Sequence, residues 1–133
     1  MGTVVITDGK YRASIAAIRM LGRAKYRVVV TQTRADLPQE PSGFASRYAS
    51  QSRWLEGSAA DSDYPDKLYA LLEEYGHPVL FCVGAASLNA VSKQRERFAQ
   101  VCDFLIAPTE VLDALNDKEA VHRRCEELGI PVP

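Results

Sequence analysis

Short apolar segments alternate with helical patterns along the whole chain, and this alternation constrains the fold more than any other feature. Thr3 to Thr7 and Arg27 to Thr33 are short runs rich in β-branched residues, as is typical of strands buried on both faces of a parallel sheet. Arg12 to Ala24, between them, repeats apolar residues at helical spacing. A strand, a helix and a second strand of this kind predict a right-handed crossover unit.

Three further strands are predicted downstream. Ser50 to Leu55 is polar with one tryptophan, which favours a sheet edge, whereas Pro78 to Val83 is the most apolar strand and is expected near the centre. Asp103 to Ala107 is the fifth. Helices are predicted from Asp63 to Tyr75 and from Gly84 to about Val101. This pattern predicts an α/β fold, a Rossmann-like open parallel five-stranded sheet in the order 3-2-1-4-5, with helices on both faces.

The C-terminal segment is predicted to form two helices separated by a break. A short helix begins at Thr109, and the break at Asn116 to Lys118 precedes a second helix. Asn116 is the predicted N-cap with Glu119 three residues on, which resembles a capping box and places Lys118 at the second helical position. A lysine there opposes the helix dipole. Pattern alone leaves open whether it is an ordinary surface residue.

Composition narrows the function class. The 133 residues are enough for one domain, and 47% of them are hydrophobic. The net charge of −1 argues against nucleic acid as a partner, because phosphate binding needs a concentrated basic surface. No apolar run approaches the roughly 20 residues that cross a bilayer. Cys82, Cys102 and Cys125 show no metal-binding spacing, so we expect a reduced, cytoplasmic protein without a membrane partner.

Ligands of open α/β sheets bind where neighbouring connections diverge at the carboxyl ends of strands. The predicted strand order places that point between the first and fourth strands, whose loops lead into helix N-termini suited to an anion. The predicted substrate-side residues are Asp8, Gly9, Arg12, Gly84, Ala85 and Ser87. The alternative, that the two glycines only form tight turns, stays open.

Several well-known sites are disfavoured. The first loop has one glycine where a dinucleotide fingerprint needs three, and no phosphate-binding P-loop pattern occurs. His77 and His122 have no neighbouring acid or cysteine at ligand spacing. The three acids from Asp61 to Asp66 flank a helix start, where we interpret them as capping and dipole-favouring residues. No catalytic residue and no metal ligand is therefore predicted in this chain.

Four blocks of the sequence resemble a known family. They are ITDGKYRASIAAIRMLGRAKYRVVV, SRYASQSRW, PVLFCVGAASLNAVSKQRERF and FLIAPTEVLDALNDKEAVHRRCEELGIPVP. Together they resemble the N-terminal pre-ATP-grasp domain of ATP-grasp enzymes, especially the carbamoyl-phosphate synthase large-subunit-like group. The resemblance covers essentially the whole chain, and the segment from the Asp-Lys pair to LGIPVP is its most specific part.

The resemblance implies a division into a Rossmann-like domain, residues 1–115, and a hinge helix and linker, residues 116–133, leading to an ATP-grasp module outside this chain. Such enzymes use ATP and Mg²⁺ to activate a carboxylate as an acyl-phosphate, which an amine or similar nucleophile then attacks. It implies that Lys118 contacts the nucleotide phosphates and that the isolated chain neither catalyses nor tightly holds a cofactor.

The resemblance does not specify the substrate, because many relatives carry acids in the loop where this chain has Gly84 to Asn89. Two other interpretations stay open. One is a free-standing binding module for a small anionic metabolite or a partner subunit. The other is a chain that associates through an exposed apolar face near its last helix, as in a homodimer.

Overall fold

Five parallel strands form one open sheet in the computed structural model, which describes residues 2–132. The strands are β1 (Thr3–Ile6), β2 (Arg27–Thr33), β3 (Gln51–Leu55), β4 (Val79–Phe81) and β5 (Asp103–Phe104). Their order across the sheet is β3-β2-β1-β4-β5, which confirms the predicted topology. The polar strand β3 lies at an edge, as its composition predicted.

Helices cover both faces of the sheet. The helices are α1 (Arg12–Arg23), α2 (Tyr64–Glu73), α3 (Ala85–Lys93), α4 (Arg95–Phe98), α5 (Thr109–Asn116) and α6 (Lys118–Glu127). On one face, Ala17 and Ile18 of α1 pack on the apolar side chains of β1 and β2. On the other face, the buried residues of α2, α3 and α4 pack on a row that includes Val5, Val29 and Leu80.

Strand β4 is only partly central. It pairs with β1 on one side and β5 on the other, so its interior position in the sheet agrees with its apolar sequence. Two of its three residues are nevertheless half exposed, Val79 at 46% and Phe81 at 47%. The apolar character of this strand therefore matches its pairing, while its burial is complete on one face only.

The predicted helix from Gly84 to Val101 is wrong as a single element, because it breaks at Gln94 (φ −124°, ψ 36°) into α3 and α4. The break brings Phe98 of α4 fully into the core. The fifth strand is also shorter than predicted, because only Asp103 and Phe104 find partners on the short strand β4.

The two carbonyl groups after β5 have a different partner. Arg95 Nη1 donates to the carbonyl oxygens of Ile106 (2.6 Å) and Ala107 (3.1 Å). These contacts direct the chain away from the sheet and towards α5, which explains why the predicted strand does not extend to Ala107.

The C-terminal helices form a hairpin in which α6 packs on α5. The predicted cap at Asn116 is wrong, because α5 continues through Asn116 and Asp117 is the N-cap of α6. The Asp117 carboxylate accepts a hydrogen bond of 3.0 Å from the Ala120 N–H, so Lys118 is the first helical residue. Among residues 2–132 no helix is long and apolar enough to cross a membrane.

The segment after α6 is described only through Val132, and the predicted extended tail ends at Pro133, outside the described residues. Gly129 adopts a positive φ of 68° directly after α6, and the Ile130 N–H closes back to the Cys125 carbonyl at 2.8 Å. This is the usual glycine-dependent helix end. The predicted division after residue 115 stays a prediction.

Candidate functional site

A crevice of about 180 Å³ lies at the carboxyl ends of the strands, where the connections after β1 to β4 meet. This is the position at which open α/β sheets bind ligands. Its lining residues are Asp8, Lys10, Tyr11, Asp36, Ser58, Ala59, Ala60, Gly84, Ala85 and Ala86. Three of the six predicted substrate-side residues, Asp8, Gly84 and Ala85, are among them.

Asp8 ties the loop after β1 to the loop after β4. Its side chain is buried, with 7% of the residue exposed. Its Oδ2 atom accepts hydrogen bonds from the Gly84 N–H at 2.8 Å, from Ser87 Oγ at 2.6 Å and from Thr7 Oγ1 at 2.5 Å. A buried carboxylate needs such donors to offset the loss of hydration. The predicted proximity of these two loops is therefore a direct contact.

The close approach of Asp8 explains the glycine at position 84. A Cβ atom there would lie 2.7 Å from the Asp8 carboxyl carbon, inside van der Waals contact. Ser87 is the third residue of α3 and is fully buried. The small residues at this helix start thus allow an acid from the neighbouring strand to reach the helix N-terminus, where the dipole favours negative charge.

The second carboxylate oxygen of Asp8 remains available to a ligand. Oδ1 accepts no hydrogen bond from residues 2–132. Over the same range no fully buried side-chain polar atom lacks a partner, so Oδ1 is not fully buried, and Asp8 is a lining residue of the crevice. Oδ1 can accept a hydrogen bond or an ion pair, whereas the first turns of α1 and α3 offer free N–H donors.

Asp36 forms a second polar cluster, which was not among the predicted site residues. Its Oδ2 atom accepts from Thr33 Oγ1 (2.5 Å) and from the Ala59 N–H (2.8 Å). Its Oδ1 atom accepts from Ser58 Oγ at 2.7 Å. Burial alone would raise the pKa of Asp36, but these hydrogen bonds and the charge of Lys10 bring that pKa below its usual value. Asp36 therefore presents a stable negative charge beside the crevice.

Part of the Asp36 cluster had a signal in the sequence. Thr33 is the last residue of β2 and Asp36 follows it by three positions, a spacing typical of local side-chain turns. The contacts with Ser58 and Ala59 lie more than twenty residues further along the chain. They depend on the pairing of β2 with β3, which no local pattern encodes.

The other predicted loop residues lie apart from the crevice surface. The Gly9 N–H donates to the Thr31 carbonyl at 3.0 Å, and a Cβ at Gly9 would come 2.9 Å from the Val30 side chain, which supports a packing role. Arg12 is exposed at the start of α1 and does not line the crevice. Lys10, which sequence reasoning passed over, contributes the cation there instead. The role of Arg12 stays a prediction.

Lys118 also lies outside the crevice lining. It is exposed at the N-terminus of α6 and makes no ion pair with any residue from 2 to 132. Its predicted contact with nucleotide phosphates stays a prediction.

The three acids around the start of α2 diverge from one another. Asp61 accepts from the Ser58 N–H at 2.8 Å, Asp63 pairs with Lys67 at 2.8 Å and Asp66 pairs with Arg97 at 2.6 Å. Asp63 occupies the N-cap position, but its side chain makes no capping hydrogen bond, contrary to the capping interpretation. In the described part of the chain, no three His, Cys, Asp or Glu side chains are grouped to hold a metal ion.

The fold is similar to that of known structures, although sequence comparisons find no relative. No family model and no curated protein matches the chain, whereas twelve chains of solved structures match it. One is the biotin carboxylase domain of a single-chain bacterial carboxylase, with a TM-score of 0.60 and 21% identity. The match covers 98% of this chain and 30% of that chain. This chain therefore has the fold of part of a biotin carboxylase domain.

Proposed function

We propose that this chain is the N-terminal, substrate-side domain of an ATP-grasp ligase. The observation that carries the proposal is the match to a biotin carboxylase domain over 98% of the chain, because that neighbour belongs to an ATP-grasp enzyme. The resemblance of the sequence blocks to pre-ATP-grasp domains points the same way. The assignment to the carbamoyl-phosphate synthase-like group rests on those blocks alone.

The proposal divides the work between two parts of a longer protein. The chain spans 30% of the structure that it matches, so the remaining 70% of a similar enzyme would hold most of the ATP site. ATP with Mg²⁺ would supply a phosphoryl group that converts the substrate carboxylate to an acyl-phosphate and leaves ADP. An amine would then displace phosphate and form a C–N bond.

The crevice would orient one end of the substrate. The Asp8 Oδ1 atom offers an acceptor, and the Asp36 carboxylate and the Lys10 ammonium group add fixed charges beside it. The free N–H groups at the starts of α1 and α3 would favour an anionic group. The Asp8 hydrogen bonds hold the loops after β1 and β4 together, and those of Asp36 hold the loops after β2 and β3, which limits reorganisation when substrate binds.

Lys118 would act at the junction with the catalytic module. It is exposed on the C-terminal hairpin and has no acidic partner in the described part of the chain. An ammonium group in this setting can pair with phosphate oxygens as a point charge. The residues from Asn116 onward would then be the hinge through which the domain contributes one cation to the nucleotide site.

The test begins with the reading frame beyond codon 133. The proposal expects a continuation that encodes a glycine-containing phosphate loop and, later, acidic and amide residues that bind Mg²⁺. A stop codon directly after Pro133 would exclude the proposal in this form. Calorimetry of the 133-residue chain with a metabolite panel would then test the alternative of a free-standing binding module.

In the full-length protein, Lys118→Ala should lower ATP turnover by roughly tenfold or more, the loss expected for one charge-assisted contact. Lys93→Ala is the matched control, because Lys93 is exposed and lies outside the crevice. Unchanged turnover and an unchanged ATP Michaelis constant in the Lys118 variant would show that it is an ordinary surface residue.

A further inference from the structure

Three arginines line one pocket of about 500 Å³ between α1 and the connection from β2 to β3. Arg19 and Arg23 belong to α1, and Arg47 belongs to the connection. The other polar residues of the lining all carry a hydroxyl group: Ser42, Ser46 and Tyr48. Of residues 2–132, no acidic one lines this pocket, and none of its lining residues belongs to the crevice.

Close packing holds the wall of the pocket in place. A Cβ atom at Gly22 would lie 2.6 Å from the Tyr48 Cβ atom and 2.9 Å from its carbonyl oxygen, so the connection reaches α1 only because this position is glycine. The connection also forms a turn on this side of the pocket, in which the Ala49 N–H donates to the Ser46 carbonyl at 3.0 Å. The concave shape is therefore preformed.

Tyr48 orients two of the three guanidinium groups. Its hydroxyl oxygen accepts from Arg47 Nη2 at 2.9 Å and from Arg23 Nε at 3.4 Å. Both guanidinium carbons also lie near the Tyr48 ring centroid, at 4.9 Å for Arg47 and 5.8 Å for Arg23. The hydrogen bonds from Arg23 and Arg47 lower the pKa of the Tyr48 phenol. Two cations thus converge on one oxygen atom before any ligand arrives.

The three arginines of the pocket, Arg19, Arg23 and Arg47, have no acidic partner within residues 2–132. Of the eight arginines outside it, four make no ion pair within that range either, and four pair with a carboxylate: Arg34 with Glu56, Arg53 with Glu74, Arg97 with Asp66 and Arg124 with Glu127. Like charges held together repel one another, and a bound anion would relieve that repulsion.

We propose that this pocket binds a phosphorylated small molecule. Guanidinium groups match phosphate oxygens in geometry and charge. Three of them, together with three hydroxyl groups, exceed what the two oxygens of one carboxylate can accept, whereas a phosphate group presents three terminal oxygens. The pocket volume of about 500 Å³ suits a small metabolite. The proposal does not depend on the ligase function, because the two sites share no residue.

Isothermal titration calorimetry of the 133-residue chain with inorganic pyrophosphate tests the proposal directly. We expect saturable 1:1 binding with a dissociation constant below about 1 mM, which weakens as the salt concentration rises. Malonate, a dicarboxylate of similar size, should bind more weakly. Absence of saturable binding, or tighter binding of malonate than of pyrophosphate, would overturn the assignment.

Substitutions locate the binding. Arg47→Ala should weaken pyrophosphate binding by roughly tenfold, as expected when a charge-assisted hydrogen bond is lost. Arg123→Ala is the matched control, because it removes the same charge from an exposed position on α6 outside the pocket. Equal weakening by both substitutions would reduce the effect to general electrostatics and reject a specific site.

Tyr48→Phe gives a second, independent test, because it keeps the ring against Gly22 and removes only the oxygen that holds Arg23 and Arg47. Binding should weaken with little change in thermal stability. An unchanged pyrophosphate affinity in this variant would contradict the orienting role of the phenol. Neither Arg47 nor Tyr48 lines the crevice. The pyrophosphate measurements therefore test this pocket alone, and ligase activity tests the proposed function alone.

Discussion

One face of the sheet has a covered half and an open half, although the strands of both halves are apolar. Val4 and Ile6 of β1 are 4% and 0% exposed. Their partners in register on β4, Val79 and Phe81, are 46% and 47% exposed. Residues in register on parallel strands point to the same face, so the difference lies in what covers the two halves.

The cover comes from α1 and the connection between β2 and β3. Ala17 and Ile18 pack over β1 and β2, and Phe44 and Tyr48 extend that layer. Towards β4 and β5, Phe81 and, beyond it, Leu105 keep large exposed surfaces. An apolar strand therefore indicates a position inside a sheet. Burial of each face of that strand depends on which helix packs against it. The effects of substitution should differ accordingly.

The largest difference is expected between Ile6→Ala and Phe81→Ala. Ile6→Ala removes a fully buried side chain and should lower the free energy of unfolding by about 3 kcal/mol. Phe81→Ala removes a half-exposed side chain of the open half and should cost under about 1.5 kcal/mol. Urea denaturation of both variants measures the difference. Equal losses would mean that the open half is covered in solution.

The next largest loss of stability is expected at the contact between the loops after β1 and β4, where the two halves of the sheet meet. Ser87→Ala removes a buried donor to Asp8, which links the loops after β1 and β4, and should cost on the order of 2 kcal/mol. Ser52→Ala on the exposed edge strand is the control, with an expected change within about 0.5 kcal/mol. If the two variants unfold at the same urea concentration, the Asp8 contact contributes nothing to the joining of the halves.

Acid should remove the contribution that Asp36, on the β2–β3 side of the sheet, makes to the free energy of unfolding. Because hydrogen bonds hold the pKa of Asp36 below its usual value, its contribution is present above the unfolded pKa of about 3.9 and disappears as pH falls through the lower folded pKa. Asp36→Asn should therefore cost about 1 kcal/mol at pH 7 and progressively less below pH ~4. Equilibrium unfolding from pH 7 to pH 3 tests this, and a growing difference in acid would contradict it.

On the β4–β5 side, Asp103→Asn is the counterpart of that substitution. Asp103 pairs with His77 at 3.2 Å, and both side chains are largely exposed. An exposed polar contact contributes little whether or not the imidazole is charged, so the change in the free energy of unfolding should stay within about 0.5 kcal/mol. A loss as large as that of Asp36→Asn would remove the distinction between the two sides.

Thiol labelling should distinguish the core of the sheet from the C-terminal hairpin. Cys102 is 1% exposed, and burial raises the pKa of its thiol to about 11. Cys82 and Cys125 are both partly exposed, but burial of the Cys82 thiol group raises its pKa, whereas Cys125 lies in the open groove between α5 and α6. An aromatic disulfide reagent at pH 8 should modify Cys125 quickly and the other two only after denaturation. A fast-reacting thiol that persists in Cys125→Ser would contradict this.

The strand order and the meeting of the loops after β1 and β4 could be predicted because both follow from general rules applied to local patterns. Alternating elements imply parallel strands, and the switch point then brings the loops at Asp8 and Gly84 together. The break at Gln94 and the cap at Asp117 could not be placed in this way. Each depends on a competition between neighbouring contacts, of Phe98 with the core and of Asp117 with the Ala120 N–H.

The sequence by itself determined the type and order of most elements and their parallel arrangement, and it predicted the edge at which a ligand is expected, because periodicity and turn residues act over a few neighbouring positions. Only the tertiary structure decided which half of the sheet face is covered and that Asp36 joins the crevice. It also decided that Arg47 meets Arg23 across Tyr48. These contacts join segments 20 or more residues apart. They depend on close packing, such as that of Gly22 against Tyr48, which exists only once the sheet has formed.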